Sequence, residues 1–191
     1  MKKVYKKKLW IHLGPGKSGS TWLYNLAKKN SDIFALPKIK ETQNFHNSNI
    51  FNKEFYDLKC INNSRIICDF SNTYIFNPIS ISNINKIDYE NFDVFSTVLL
   101  RCPYKRTLSH YNYLLASGKI PKISFRNLIA EDPSILWRSR YDIHLEYFKK
   151  INLNFNAYIL EEQNASSPLI IKDVLNKFDF NNKNLDFVNV D

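Results

Sequence analysis

The sequence predicts an α/β fold: a three-layer sandwich with a mostly parallel central sheet and helices on both faces. Three observations carry that reading. Short apolar runs alternate with helical patterns along all 191 residues. One run, Leu9 to Leu13, breaks at Gly14-Pro15-Gly16 and passes through a small polar cluster into a helix. Another, Asp93 to Leu100, ends in Arg101 and turns through Pro103 into a second helix. The length fits one domain, 1–191, able to bury a substantial core, and neither a repeat nor a low-complexity linker interrupts it.

Taken in order, Leu9-Trp10-Ile11-His12-Leu13 has the length and composition of a buried strand, and Trp22, Leu23, Leu26 and Ala27 mark one face of the helix after it. Ile33 to Leu36 reads as a short strand, Pro37 to Phe45 as the loop leaving it, and Glu54 to Lys59 as weakly helical. Arg65 to Asp69 is a third strand and Asp93 to Leu100 a fourth. Tyr104, Leu108, Tyr111 and Leu115 then recur at helical spacing. Gly118 to Lys122 is a loop and Phe125 to Glu131 a short helix. The segment Ser139 to Phe148 opens another helix with Tyr141, Leu145 and Phe148 inward. Asn156 to Leu160 is the last strand, and Ile171, Val174, Leu175 and Phe178 give a final amphipathic helix.

Composition narrows the partners only slightly. With 44% hydrophobic and 24% charged residues the chain is of ordinary globular make-up. No apolar run approaches the ~20 residues of a membrane span, and the run after the basic start is too short for a signal-peptide core. Cytoplasmic residence is therefore expected. Cys60, Cys68 and Cys102 are odd in number and lack metal spacing with His12, His46, His110 and His144, which predicts reduced thiols and no metal. A net charge of +9 favours anionic ligands such as nucleotides or acidic glycans. Charge alone does not choose among them.

The two strand-to-helix turns carry the chemistry. The first points unpaired backbone N–H groups and a positive helix end at an anion. Lys17 adds a full charge, and Ser18, Ser20 and Thr21 add hydroxyl donors. A Walker A loop would need its first glycine at Ile11, inside the strand, so that pattern does not fit. In the second turn, Arg101 offers a bidentate fork to a phosphate dianion, and Ser109, about two turns into the helix, can donate a hydroxyl to the same group.

These residues resemble the sulfotransferases that use 3′-phosphoadenosine 5′-phosphosulfate (PAPS), most closely the glycan or heparan type. Pro15-Gly16-Lys17-Ser18-Gly19-Ser20-Thr21-Trp22-Leu23 is similar to that family's 5′-phosphosulfate loop, with one extra residue between proline and lysine. Arg101-Cys102-Pro103-Tyr104-Lys105-Arg106-Thr107-Leu108-Ser109-His110-Tyr111 resembles its 3′-phosphate motif at every fixed position, and Cys102, at a variable one, is expected to be a structural thiol. Lys40-Glu41 followed by Phe45 resembles a segment whose glutamate is the catalytic base, with Asn44 and Gln43 as departures. Asp69, Ser71 and Tyr74 resemble a segment near the acceptor, with Asn72 in place of proline. Tyr141, His144 and Leu145, with Phe148 for tryptophan, and the pair Glu161-Glu162 complete a likeness running from about Leu9 to Phe178.

The resemblance implies a P-loop-NTPase-like sulfotransferase fold and sulfuryl transfer from PAPS to a hydroxyl or amine of a carbohydrate or small-molecule acceptor, leaving 3′-phosphoadenosine 5′-phosphate (PAP). It implies cofactor binding by Lys17, Ser18, Gly19, Ser20, Thr21, Trp22, Arg101 and Ser109, and catalysis by Lys17 with Glu41 as base. His46 is the rival base and Asp69 a distant third. Family members carry a further lysine/glycine-rich loop over the adenosine, which Asn181 to Asp191 is too short to hold, so its contacts are expected to be absent, replaced by other residues, or supplied by a partner chain. Residues between Asn47 and Asn63, and between Tyr113 and Arg138, are expected to shape the acceptor cleft. No nucleic-acid partner is expected. Two other readings stay open: a nucleotide kinase or NTPase, with Asp69 ending a Walker B-like strand, and a non-catalytic nucleotide- or RNA-binding protein.

Overall fold

The computed structural model describes residues 6–46, 65–180 and 185. Five strands form one sheet: β1 (Lys7–His12), β2 (Phe34–Ala35), β3 (Ile66–Phe70), β4 (Phe92–Leu100) and β5 (Asn156–Ile159). Their order is β2-β3-β1-β4-β5, and every pair is parallel. β1 is central, with Trp10 opposite Cys68 on one side and Phe95 on the other. Buried on both faces, it can afford no polar alternation, which is why Leu9 to Leu13 reads as a continuous apolar run.

The pleat divides that run between two cores. Leu9, Ile11 and Leu13 join Ile67, Tyr74, Ile81, Ile84, Val98 and Phe148 on one face. Trp10 joins Leu23, Ala27, Phe34, Cys68, Leu99, Ile171 and Val174 on the other. Each fully buried Leu or Ile here contributes about 1.5–3 kcal/mol. Trp10 satisfies its one donor by giving its indole N–H to Thr97 Oγ1 at 2.8 Å, across to β4.

Helices α1 (Ser20–Lys29) and α6 (Leu169–Lys177) cover the Trp10 face, and α2 (Pro78–Asn85) and α5 (Tyr141–Lys150) cover the Leu9 face. α3 (Pro103–Ala116) and α4 (Phe125–Glu131) complete the α-helices among the described residues, and 3-10 turns span Tyr74–Phe76, Pro133–Ser139 and Leu160–Glu162. The three expected layers are present. Within the described residues the predicted strands and helices are found with ends moved by at most two residues.

Some expectations change. α2 is an addition: Asn77 caps it by accepting from Ile79 and Ser80, and Pro78 stands in its first turn. Along α3 the apolar stripe does not enter the core. Tyr104 is exposed and meets Phe125 edge-on, as Tyr111 does at a tilt, while the buried residues are Arg106 and Thr107. On α5 His144 is buried beside Phe148, its ring against Phe76 and Trp137. Cys68 is a buried thiol, but Cys102 is exposed at the start of α3 rather than packed. The helix expected at Glu54 to Lys59, the thiol at Cys60 and the cleft residues Asn47 to Asn63 lie outside the described residues.

Candidate active site

Sheet order reverses around β1: β3 lies on one side of it and β4 on the other. Crevices for ligands open at the carboxyl ends of strands at such a point. Here the turns after β1, β3 and β4 meet. Gly16 N–H donates to Asn72 O at 3.1 Å, and Ile75 N–H to Leu13 O at 3.0 Å. The approach is so close that a Cβ on Gly14, whose φ is +96°, would lie 2.5 Å from the Asn72 carbonyl oxygen. Only glycine fits there.

Lys17 follows with φ 68°, a left-handed conformation that costs a side-chain-bearing residue about 1–2 kcal/mol. Gly19, also left-handed, begins α1, and no side chain caps that helix. Its first N–H groups and dipole therefore face the turn. Lys40 reaches across from the loop after β2 to donate to Ser20 Oγ at 3.2 Å and Thr21 Oγ1 at 3.0 Å.

The turn after β4 supplies the opposite wall. Arg101 donates to Lys17 O at 3.3 Å, and its Nε lies 4.0 Å from Glu161. Glu161 also accepts from Cys102 N–H at 3.2 Å, so one carboxylate from beyond β5 both caps α3 and steadies Arg101. Arg106 is almost wholly buried, giving its Nε–H to Gly16 O at 3.1 Å and an Nη1–H to Ser139 Oγ at 3.2 Å. Burial lowers its pKa to about 10, which leaves it charged at neutral pH.

Between these walls lies a cavity of about 580 Å³. Lys17, Ser20, Thr21, Arg101, Arg106, Ser109, His110, Tyr113, Lys119 and Arg138 are among its lining residues, and among the described residues none that lines it is acidic. The positive field has a visible effect. Burial first, then Arg106, Arg138, Lys17 and Lys119, push His110 down to about pKa 4, so its ring is neutral. Burial likewise lowers Lys17, whose ammonium lies 3.7 Å from the centre of the Tyr113 ring. Such a cavity fits a ligand with more than one anionic group. The residues present suit a nucleotide carrying phosphates at both ends of its ribose.

Beside the cavity stands a carboxylate. Glu41 accepts the Asn72 N–H at 2.8 Å and pairs with Lys40 at 3.4 Å, its side chain about one-third exposed. A bridge to Phe70 holds its backbone at the carboxyl end of β3. Beneath it, Asp69 is fully buried and accepts from Thr42, Tyr74 and Asn44 at 2.7, 3.0 and 3.0 Å. Burial and the Asp69 charge push the Tyr74 phenol far up, which keeps it a donor.

Among solved structures the chain is similar to a sulfotransferase from Alicyclobacillus acidocaldarius, at TM-score 0.71 and 18% sequence identity, over 97% of this chain and 86% of that one. The chain has a sulfotransferase fold. No family model matches the sequence, and no curated protein matches it. At this identity the likeness speaks for the fold, and the roles of individual residues rest on the geometry above.

Within that fold, Lys17, Gly19, Ser20, Thr21, Arg101 and Ser109 line one cavity, and Glu41 adjoins it through Asn72. Ser18 is fully buried under the turn. Trp22 is not among the lining residues and packs against the Trp10-side core. His46 stands apart, its ring nitrogens 3.0 Å from Thr73 Oγ1 and 3.2 Å from Ser80 Oγ, and burial lowers its pKa. Arg106 and His110 carry no role in the sequence reading. For Arg106 a signal existed, a fixed position of the α3 motif. Tyr113, Lys119 and Arg138, expected in or beside an acceptor cleft, line the same cavity as Arg101 and Ser109.

Proposed function

We propose that this protein is a PAPS-dependent sulfotransferase, moving a sulfuryl group to a hydroxyl or amine of a carbohydrate or small-molecule acceptor. The observation that carries this reading is one cavity, free of acidic lining among the described residues, that Lys17, the open end of α1, Arg101 and Ser109 all line, with Glu41 at its edge. Sulfuryl transfer asks little covalent work of a protein, so positioning and charge stabilisation dominate. The α1 amides with Ser20 and Thr21 hold the 5′-phosphate. Arg101 and Ser109 hold the 3′-phosphate, which ATP lacks. Lys17 meets the charge that grows on the 5′-phosphate oxygen as its bond to sulfur breaks. Glu41 removes the proton from the acceptor as the new bond to sulfur forms.

The Asp69 environment argues against the NTPase reading. A metal-bearing acid would offer its oxygens to the phosphate turn, whereas Asp69 accepts from Thr42, Tyr74 and Asn44 behind it. Among the described residues no group of three or more His, Cys, Asp or Glu could hold a metal ion, and no helix is long and apolar enough to cross a membrane. A cytoplasmic site of action remains part of the proposal.

Two measurements test it together. Titration with PAP and with ATP should show PAP bound at least tenfold more tightly, and equal affinity would return the reading to an NTPase. Incubation with 35S-labelled PAPS and carbohydrate extracts should transfer label to a glycan or small molecule. Tight PAP binding without transfer to any acceptor would leave a nucleotide-binding protein, and label on protein tyrosines alone would overturn the carbohydrate preference.

A further inference from the structure

Lys17 is held in an unusual way. Its ammonium sits 3.7 Å from the ring centre of Tyr113, inside van der Waals range of the face. Among the described residues it has no carboxylate partner. Tyr113 stands four residues after Ser109 on α3, hence one turn further along the same side of the helix, and both line the cavity. The ring is shared: Lys119 Nζ lies 5.2 Å from its centre and 3.4 Å from its hydroxyl.

We propose that Tyr113 is a positioning residue for Lys17, its ring face keeping the ammonium over the cavity, charged and uncommitted, until the donor's anionic groups arrive. The proposal rests on the sulfuryl-transfer reading above. A lysine that must stabilise a leaving phosphate needs to be localised without being neutralised. A carboxylate would localise it but cancel the charge that the transition state needs. An aromatic face attracts a cation through its quadrupole and carries no net charge, so a phosphate can override it. The arrangement also opposes a competing loss. With water partly excluded and Arg106 and Lys40 nearby, Lys17 is pulled toward its neutral form, and Tyr113 beside it pulls the other way. The sharing with Lys119 brings a second cation to the same side of the cavity, and both can turn to a polyanion together.

Tyr113→Leu removes the π face while keeping apolar bulk at a partly exposed helix position, so the fold should survive, and Tyr113→Phe keeps the face. The first readout is independent of catalysis. In the full chain with labelled lysine, the Lys17 ε-methylene protons, identified by their loss in Lys17→Arg, should be shifted upfield by the ring in the wild type and in Tyr113→Phe, and not in Tyr113→Leu. Addition of PAP should move them toward the unshifted position. The second is kinetic: Tyr113→Leu should lower kcat about tenfold with donor KM changed less than threefold, and Tyr113→Phe should recover most of that loss. An unshifted Lys17 in the wild type, or wild-type kcat in Tyr113→Leu, overturns the proposal. If the wild type transfers no sulfuryl group, the function reading fails and the methylene shift with its response to PAP decides the Tyr113 proposal alone.

Discussion

Asn72 N–H and Glu41 Oε2 lie 2.8 Å apart, and Asn72 is itself a wall of the cavity. One backbone donor thus fixes the carboxylate at the cavity's edge while leaving its second oxygen beside Lys40. A proton acceptor held this way contributes to turnover and little to nucleotide affinity. Glu41→Gln keeps the shape and loses the base, so kcat should fall by about 100-fold or more with PAP affinity within about twofold of wild type. His46→Ala is the contrast. It should cost stability through Thr73 and Ser80, about 1 kcal/mol, yet retain turnover. An active Glu41→Gln with a dead His46→Ala would move the base to His46.

On the proposed reading, discrimination at the 3′ end rests on Arg101 and Ser109. Charge-assisted hydrogen bonds to phosphate are worth roughly 1.5–3 kcal/mol each. Arg101→Ala should weaken PAP binding by roughly 10- to 100-fold while changing the affinity for 5′-AMP by less than about threefold. Calorimetric titration of both nucleotides checks it, and equal losses would show that Arg101 serves the 5′ end instead.

His110 makes the site sensitive to acid. It is neutral when folded, with a pKa of about 4, whereas the unfolded imidazole takes up a proton near pH 6.5. Between those values the unfolded chain binds more protons, so stability should fall as pH drops through the window and stay level above it. His12, buried and lowered to about 3, adds to the same slope. Urea midpoints at pH 7.5 and 5.0 should therefore differ more for the wild type than for His110→Gln. An anion in the cavity offsets Arg106, Arg138, Lys17 and Lys119, so PAP binding should take up protons at pH 6. Calorimetry in two buffers of different ionisation enthalpy measures that uptake, and His110→Gln should reduce it.

Arg106 reaches the phosphate turn from below. Its two hydrogen bonds, to Gly16 O and Ser139 Oγ, leave from a planar fork that a lysine cannot reproduce. Arg106→Lys should lose about 1–3 kcal/mol in urea denaturation, with weaker PAP binding as the turn loosens. Full stability with full affinity would show that the Gly16 contact is dispensable.

The parts of this site that could be read in the sequence are those built from consecutive residues. Gly14 to Thr21 and Arg101 to Ser109 each form a turn and the first turns of a helix, so residue types at their spacing are enough to raise an anion site there. Glu41 was legible only through its neighbours' order, because the bond that places it comes from Asn72, far along the chain. For His46 and Trp22 packing adds what sequence does not show: the ring of one lies beside two hydroxyls, and the other packs against the Trp10-side core. Lys119 and Arg138 lie in or beside the stretch expected to shape an acceptor cleft, and only the packing of a loop and a 3-10 turn beside α3 puts them in one cavity with Arg101 and Ser109. The α2 helix had its signal in Asn77-Pro78, with Ile81 and Ile84 as a short buried face behind it.

Glu161 comes last among the site's residues, beyond the edge strand β5, and its carboxylate holds both Arg101 and the start of α3. Thr97 pairs with Asn156 across β4 and β5, while Trp10 gives its indole proton to Thr97 from β1. Contacts this distant in sequence close late in folding, after much chain entropy has been lost. A chain still lacking its edge strand would therefore present the loop after β1 without a steadied Arg101. On the proposed reading, affinity for a 3′-phosphorylated nucleotide would then report that the edge strand has joined the sheet.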